Sequence, residues 1–226
     1  MIKESFSRQV EDLILRRAAF LTRLPLSPDQ LTLLGVALSL CAGLAYALGA
    51  VVAAGCLLIP AGVADLIDGV IARKRGVASP AGAFFDSTMD RVSDLVIFSG
   101  IAVGTATSGG GWETALVCWA LSGTVLTSYT RARAEALLGE FSVGFMERAE
   151  RILILIVLSI AGRLDWALWI IALGSTVTSV QRVLSARRLL REARVLTARR
   201  LLREAGTGSG SHLRLVSDQD FEPADV

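Results

Sequence analysis

Apolar residues run along this chain in long blocks, and charged residues collect between them. No Asp, Glu, Lys or Arg occurs from position 30 to position 64. Apolar blocks of about 18–20 residues match the thickness of a bilayer. Six spans can be drawn, at about 31–48, 51–74, 82–107, 112–133, 147–162 and 166–184. The expected fold is all-α, a membrane bundle of six transmembrane helices. Ahead of it, residues 3–24 mix charges with apolar positions at helical spacing, which predicts an amphipathic helix on the membrane surface. Pro25 and Pro28 end that helix, and Ser27 or Asp29 is placed to cap the next.

Beyond the last span, the sequence SARRLLREA at 185–193 recurs as TARRLLREA at 197–205. A twelve-residue period turns a helix by about 120°, so the copies do not share a face. That favours an ordinary solvated basic helix over a single stripe for anionic lipid. Residues 206–211 read as a flexible linker and the remainder as a polar, disordered tail. The chain thus divides into an amphipathic segment (1–30), a six-helix membrane domain (31–188) and a basic repeat with a cytoplasmic tail (189–226).

Composition adds little except by position. Hydrophobic residues make up 53% of the 226, and the net charge is +2. Bulk charge therefore points to no particular partner, and no nucleic acid is expected. Placement of the charges says more. With both termini in the cytoplasm, the basic residues of 1–30, 73–75, 131–133, 148–151 and 182–203 share one side of the cell membrane. Arg163 falls in an external loop, and the external turns at 49–50 and 108–111 carry no charge. Cys41, Cys56 and Cys118 lie inside apolar blocks without ligand spacing, and His212, the sole histidine, lies in the polar tail. Charges throughout the first thirty residues exclude a cleavable signal peptide there.

The chemistry concentrates in DLIDGVIARKRGVASPAGAFFDSTMD, residues 65–90. Asp65 and Asp68 are three apart and share a helical face. Asp86 and Asp90 are four apart and share a face of the next span, with Asp94 one turn deeper. Two antiparallel helices can therefore offer four carboxylates to one point on the cytoplasmic side. Ionisable groups in such segments are expensive and mark function. Hard oxygen ligands suit Mg²⁺ or Mn²⁺, and one ion or two could clamp a pyrophosphate during displacement at phosphorus. Gly69 and Gly82 leave room for a flat ligand, and Arg73 supplies charge for a phosphate.

These residues resemble the signature of the CDP-alcohol phosphotransferase family, D-x2-D-G-x2-A-R-x8-G-x3-D-x3-D. Asp65, Asp68, Gly69, Ala72, Arg73, Gly82, Asp86 and Asp90 occupy all of its fixed positions. The resemblance implies a membrane enzyme that moves a phosphatidyl-type group from a CDP-linked lipid to an alcohol and releases CMP. It implies that Asp65, Asp68, Asp86 and Asp90 hold two divalent ions. It assigns Gly69, Ala72, Arg73 and Gly82 to the CDP-lipid, and Asp90 to deprotonation of the acceptor hydroxyl. It also implies a homodimer.

A second charge cluster falls at the same membrane face. Arg131 and Arg133 end span four, Arg148 and Arg151 begin span five, and Gln181 and Arg182 end span six. Guanidinium pairs suit phosphate, which suggests an acceptor alcohol that carries its own phosphate. The bland alternative is positive-inside anchoring, with Glu135, Glu147 and Glu150 pairing the arginines. The segments are similar to the phosphatidylinositol-phosphate synthase branch of the family, whose acceptor is inositol 1-phosphate. Arg131 stands where lysine is common in that branch, and Ala149 where proline is. Glycerol 3-phosphate is the competing acceptor. A membrane prenyltransferase using Mg-pyrophosphate is the rival enzyme class. Acids clustered at one face count against a transporter. The sequence leaves open whether the lipid tail is diacylglycerol or an ether-linked isoprenoid.

Overall fold

The computed structural model describes residues 27–207, and side chains as far as Leu196. The expected surface helix at 3–24 and the polar tail lie outside the described residues. Within them all regular structure is helical: α1 Pro28–Ala47, α2 Val51–Lys74, α3 Pro80–Thr107, α4 Gly111–Leu138, α5 Arg148–Ile160 and α6 Leu164–Thr207.

Local chemistry sets several of these starts. Ser27 Oγ accepts the Gln30 N–H at 3.2 Å while the Gln30 side chain accepts the Ser27 N–H at 2.9 Å, a reciprocal cap that satisfies two orphan donors. Pro28 follows in the first turn, where its missing N–H is no loss. A one-way serine cap opens α3, where Ser79 Oγ accepts the Gly82 N–H at 3.1 Å ahead of Pro80. Between α2 and α3 the chain reverses through Gly76 at φ 65°, a left-handed conformation that favours glycine.

Among the described residues, three helices are long and apolar enough to cross a membrane: Pro28–Ala47, Val51–Lys74 and Leu164–Leu196. The other three differ from that standard for visible reasons. Helix α3 carries Asp86, Asp90, Arg91 and Asp94 within its first fifteen residues. Helix α4 has Glu113 and several Gly, Ser, Thr and Trp residues within its apolar block, which dilute it, and runs on past Arg131, Arg133 and Glu135 to Leu138. Helix α5 has 13 residues and so spans only ~20 Å. Apolar content marks where a chain leaves lipid, whereas backbone hydrogen bonding decides where a helix stops. Both α4 and α6 therefore outrun their apolar blocks.

The described chain forms two compact units, one ending at Arg182 and one beginning at Val183. In the first, α1 packs on α2 and α3, α3 on α4, and α2 on α5. Small residues allow close approach. A Cβ added at Gly100 of α3 would collide with the Gly43 carbonyl of α1, and one at Gly104 with the Tyr46 carbonyl. This four-residue spacing of glycines is a recurrent membrane packing device. Buried polar pairs tie further helices together: Tyr46 and Ser159 hydroxyls lie 2.6 Å apart between α1 and α5, and Thr127 and Ser179 hydroxyls 2.9 Å apart between α4 and α6. The core gathers Tyr46, Leu58, Phe98, Val117, Leu155 and Ile171 from all six helices. Large apolar side chains such as Leu40, Leu44, Ile59, Val63, Val103 and Leu153 face outward instead, as a lipid-facing surface requires. The second unit is the continuation of α6, with Arg188 Nε 2.9 Å from Glu192 Oε1 on its exposed surface.

Candidate active site

The last turns of α2 and the first turns of α3 bring the acids together. Asp65, Asp86 and Asp90 each turn a carboxylate oxygen to one point, and the three oxygens lie within 4.8 Å of one another. Asp68 borders the same cavity of about 240 Å³, but its oxygens are already engaged. Oδ2 accepts the Thr32 hydroxyl at 2.7 Å, and Oδ1 accepts the Gly69 N–H at 2.5 Å. Asp94 lies one turn deeper and is paired to Arg151, Oδ2 to Nη2 at 3.1 Å.

The donor set fits a divalent cation. All the converging atoms are carboxylate oxygens, the hard ligands that Mg²⁺ and Mn²⁺ prefer. Asp86 Oδ1 is buried and has no hydrogen-bond partner. A buried anionic oxygen in that condition is costly unless a cation satisfies it.

Three larger cavities open from these acids. One, of about 700 Å³, lies between the start of α1 and the α2–α3 turn, and Gly69, Ala72, Arg73 and Gly82 all border it beside Asp68 and Asp86. All four residues assigned to the CDP-lipid thus share one wall. Gly69 is not crowded, since a Cβ there would meet only the Arg73 guanidinium at 3.6 Å; a Cβ on Gly82 would press on the capping Ser79 Oγ at 3.3 Å. A second cavity, of about 580 Å³, is bordered by Asp86, Asp90, Glu135 and Glu147 and by Arg131, Arg148, Arg151 and Arg182. A third, of about 300 Å³, is an apolar groove walled by Val36, Leu58, Val63, Ile152 and Ile156, with Asp65, Asp90 and Arg148 at its polar end.

The arginines differ in how they are held. Arg151 is buried, donating to Asp94 and, at 3.3 Å, to the Met146 carbonyl. Arg182 is buried and donates to the carbonyls of Val143 at 2.7 Å and Thr127 at 2.6 Å. Arg131 is half-exposed, with Nε 2.8 Å from Glu135 and Nη1 3.7 Å from Glu147. Arg148 reaches the acids themselves, with Nη1 2.5 Å from Asp65 Oδ1. Arg133 is exposed and does not border the cavity; two residues turn a helix by about 200°, which carries it away from Arg131. Two participants were not singled out from the sequence. Arg91 borders the arginine-rich cavity and donates to the Ser87 carbonyl; its place beside Asp90 was an available signal. Thr32 holds Asp68, and nothing in the sequence links positions 36 apart.

Acids that fit a cation, a cavity walled by small residues and Arg73, and an apolar groove all meet here, and a family match accounts for the combination. Residues 25–181 match the model of the CDP-alcohol phosphatidyltransferase family. The chain belongs to this family. It is a membrane transferase of phospholipid biosynthesis, and its reaction class is CDP-alcohol phosphatidyl transfer. Among its relatives, archaetidylinositol phosphate synthase of Pyrococcus horikoshii is 36% identical, the match covering 75% of this chain and 88% of that one. Phosphatidylinositol phosphate synthase of Streptomyces avermitilis is 40% identical, with 78% of each chain covered. Among solved structures, phosphatidylinositol phosphate synthase of Mycobacterium tuberculosis with CDP-DAG bound superposes with a TM-score of 0.68 at 30% identity, over 76% of this chain and 92% of that one. The same protein has been crystallised with manganese and citrate, again with a TM-score of 0.68 at 30% identity, over 76% of this chain and 87% of that one. A family defined by CDP-linked substrates leaves the prenyltransferase alternative without support.

Proposed function

We propose that this phosphatidyltransferase moves the phosphatidyl-type group of CDP-DAG, or a related CDP-lipid, to inositol 1-phosphate and releases CMP. The observation that carries this reading is the arginine-lined cavity set directly against the acid cluster. The nucleotide side of the acids is already served by Arg73, Gly69, Ala72 and Gly82. The guanidiniums of Arg91, Arg131, Arg148, Arg151 and Arg182 border that cavity; a neutral alcohol needs none of them, whereas a phosphomonoester carries close to two negative charges and suits them.

The lipid tail would lie along the apolar groove and the cytidine in the α2–α3 cavity, which puts the pyrophosphate over the acids. The acceptor hydroxyl attacks the phosphorus that bears the lipid, and the bond from that phosphorus to the CMP oxygen breaks. Asp90 borders both the apolar groove and the arginine-lined cavity, so it stands between donor and acceptor. That position suits it to take the hydroxyl proton as the new bond forms. Asp65, Asp68, Asp86 and Asp90 would hold two divalent ions, Mg²⁺ or Mn²⁺, with Thr32 fixing Asp68. Such ions would neutralise charge on the bridging pyrophosphate and on the departing CMP.

The acceptor is tested best at Arg131, because the buried Arg151 and Arg182 also hold the fold. Arg131→Gln should raise the KM for inositol 1-phosphate about ten- to hundredfold, the value of ~1.5–3 kcal/mol for a charge-assisted contact. The KM for CDP-DAG should hardly move. Free inositol or serine used as well as the phosphorylated alcohol would return the arginines to a role in membrane anchoring. Preference for glycerol 3-phosphate in direct competition would move the reading to that acceptor.

The same reading places six spans in the cell membrane, with the catalytic domain at 31–188, both termini and the active site cytoplasmic, and two copies associating as a homodimer. Topology has a direct test. Cys41, Cys56 and Cys118 are exposed on the described surface and would first be replaced by serine. An impermeant thiol reagent added outside cells should then label Ser108→Cys and spare Val77→Cys. These sites avoid the strain of a side chain at Gly76 or Gly109, both at positive φ. Labelling of Val77→Cys alone would invert the topology.

A further inference from the structure

Arg148 is the first residue of α5, and its guanidinium sits among three carboxylates. Nη1 is 2.5 Å from Asp65 Oδ1 and 2.7 Å from Asp90 Oδ1, and Nε is 3.7 Å from Asp94 Oδ1. Asp65 and Asp90 are two of the three residues whose oxygens converge to suit a cation. The same guanidinium borders the arginine-lined cavity. The other cavity arginines are tied elsewhere: Arg91 to the Ser87 carbonyl, Arg151 to Asp94 and the Met146 carbonyl, Arg182 to two carbonyls, and Arg131 to Glu135 and Glu147. Among the described residues, Arg148 is the cavity arginine held by Asp65 and Asp90.

A divalent ion binds carboxylate oxygens at about 2.0–2.6 Å. An ion on the oxygens of Asp65 and Asp90 would therefore lie within a few ångströms of Nη1, where two cations repel strongly at low dielectric. Both cannot claim the same oxygens. We propose that Arg148 and the divalent ion compete for Asp65 and Asp90, so that metal loading turns Arg148 toward the arginine-lined cavity to receive the acceptor phosphate. This rests on the metal reading of the acid cluster. The coupling is reciprocal: an ion that frees Arg148 strengthens phosphate binding, and a phosphate that holds Arg148 away strengthens ion binding by the same factor. Metal loading would then favour binding of the phosphorylated alcohol, and the acceptor pocket would reach full charge only once the ion is bound.

The test is Mn²⁺ affinity, read from the free-ion electron paramagnetic resonance signal, on the full chain in detergent micelles. Arg148→Gln should bind Mn²⁺ about tenfold more tightly than the parent, because no internal cation has to leave. Inositol 1-phosphate should tighten Mn²⁺ binding to the parent and leave that of Arg148→Gln unchanged. Arg148→Lys, which keeps the charge, should stay close to the parent. Melting provides a second readout. Chelation of the Mn²⁺-loaded proteins should lower the Tm of Arg148→Gln more than that of the parent, since its acids then repel without a counter-cation. Equal or weaker Mn²⁺ binding by Arg148→Gln, with a parent that binds the ion normally, overturns the competition. A parent that binds no Mn²⁺ overturns the metal reading itself and the competition with it.

Discussion

Asp90→Asn should leave a folded, membrane-inserted protein whose turnover is lower by about 10³-fold or more. Loss of a general base alone removes about 10²–10⁴-fold, and Asp90 also contributes one of the three converging carboxylate oxygens. On the proposed mechanism both roles fail together in this variant, so the expected drop lies toward the upper part of that range. Asp86→Asn should be nearly as damaging, because Asp86 Oδ1 has no protein partner to hold it in place of a cation. Asp68→Asn should fail more gently. Its carboxylate is anchored by Thr32 and by the Gly69 N–H, and an asparagine oxygen can still accept one of those hydrogen bonds. The measurement is CMP release from CDP-DAG in the presence of inositol 1-phosphate. Excess chelator should abolish the signal in the parent, and added Mg²⁺ or Mn²⁺ should restore it. Full activity under chelation would remove the metal from the reaction. A kcat for Asp90→Asn within tenfold of the parent would remove Asp90 as the base.

Gly100→Leu should cost far more stability than any surface change. A Cβ at this position collides with the backbone of Gly43 in α1, and backbone cannot swing aside as a side chain can. Overpacking a tight interface typically costs about 1–3 kcal/mol, and a collision with backbone belongs at the upper end or above. The consequence reaches the site. Helix α3 carries Asp86 and Asp90, and α1 carries Thr32, which positions Asp68. Parting α1 from α3 would disturb two sources of the acid cluster at once. Gly62→Ala is the control, because a Cβ there meets only Ile152 Cγ2, at an ordinary 3.8 Å. In detergent, Gly100→Leu should melt well below the parent or fail to elute as a single species, and Gly62→Ala should behave as the parent does. Equal melting of Gly100→Leu and the parent would show that the α1–α3 contact yields easily.

The contrast between these two sets of residues separates what the sequence by itself determined from what required the tertiary structure. Helical spacing is a local property. Offsets of three and four residues were enough to put Asp65 with Asp68, and Asp86 with Asp90, on common faces of neighbouring helices. The apolar blocks likewise marked α1, α2 and the membrane part of α6, and eight residues at fixed offsets carried the family. Partnership between charges is not local. Asp68 turns to Thr32, 36 positions away, so the oxygens of Asp65, Asp86 and Asp90 converge without it. Arg148 turns to Asp65, 83 positions away, and Arg151 to Asp94, 57 positions away. In a sequence these arginines form one basic cluster. In the fold, Arg148 reaches the acids, Arg151 and Arg182 brace loops and helices, Arg131 lies at the cavity wall, and Arg133 points elsewhere. Which carboxylate each guanidinium meets depends on how closely the helices approach. Between α2 and α5 that approach depends on Gly55, where a Cβ would lie 2.8 Å from Ser159 Cβ, a missing side chain that becomes meaningful only when the helices are packed together.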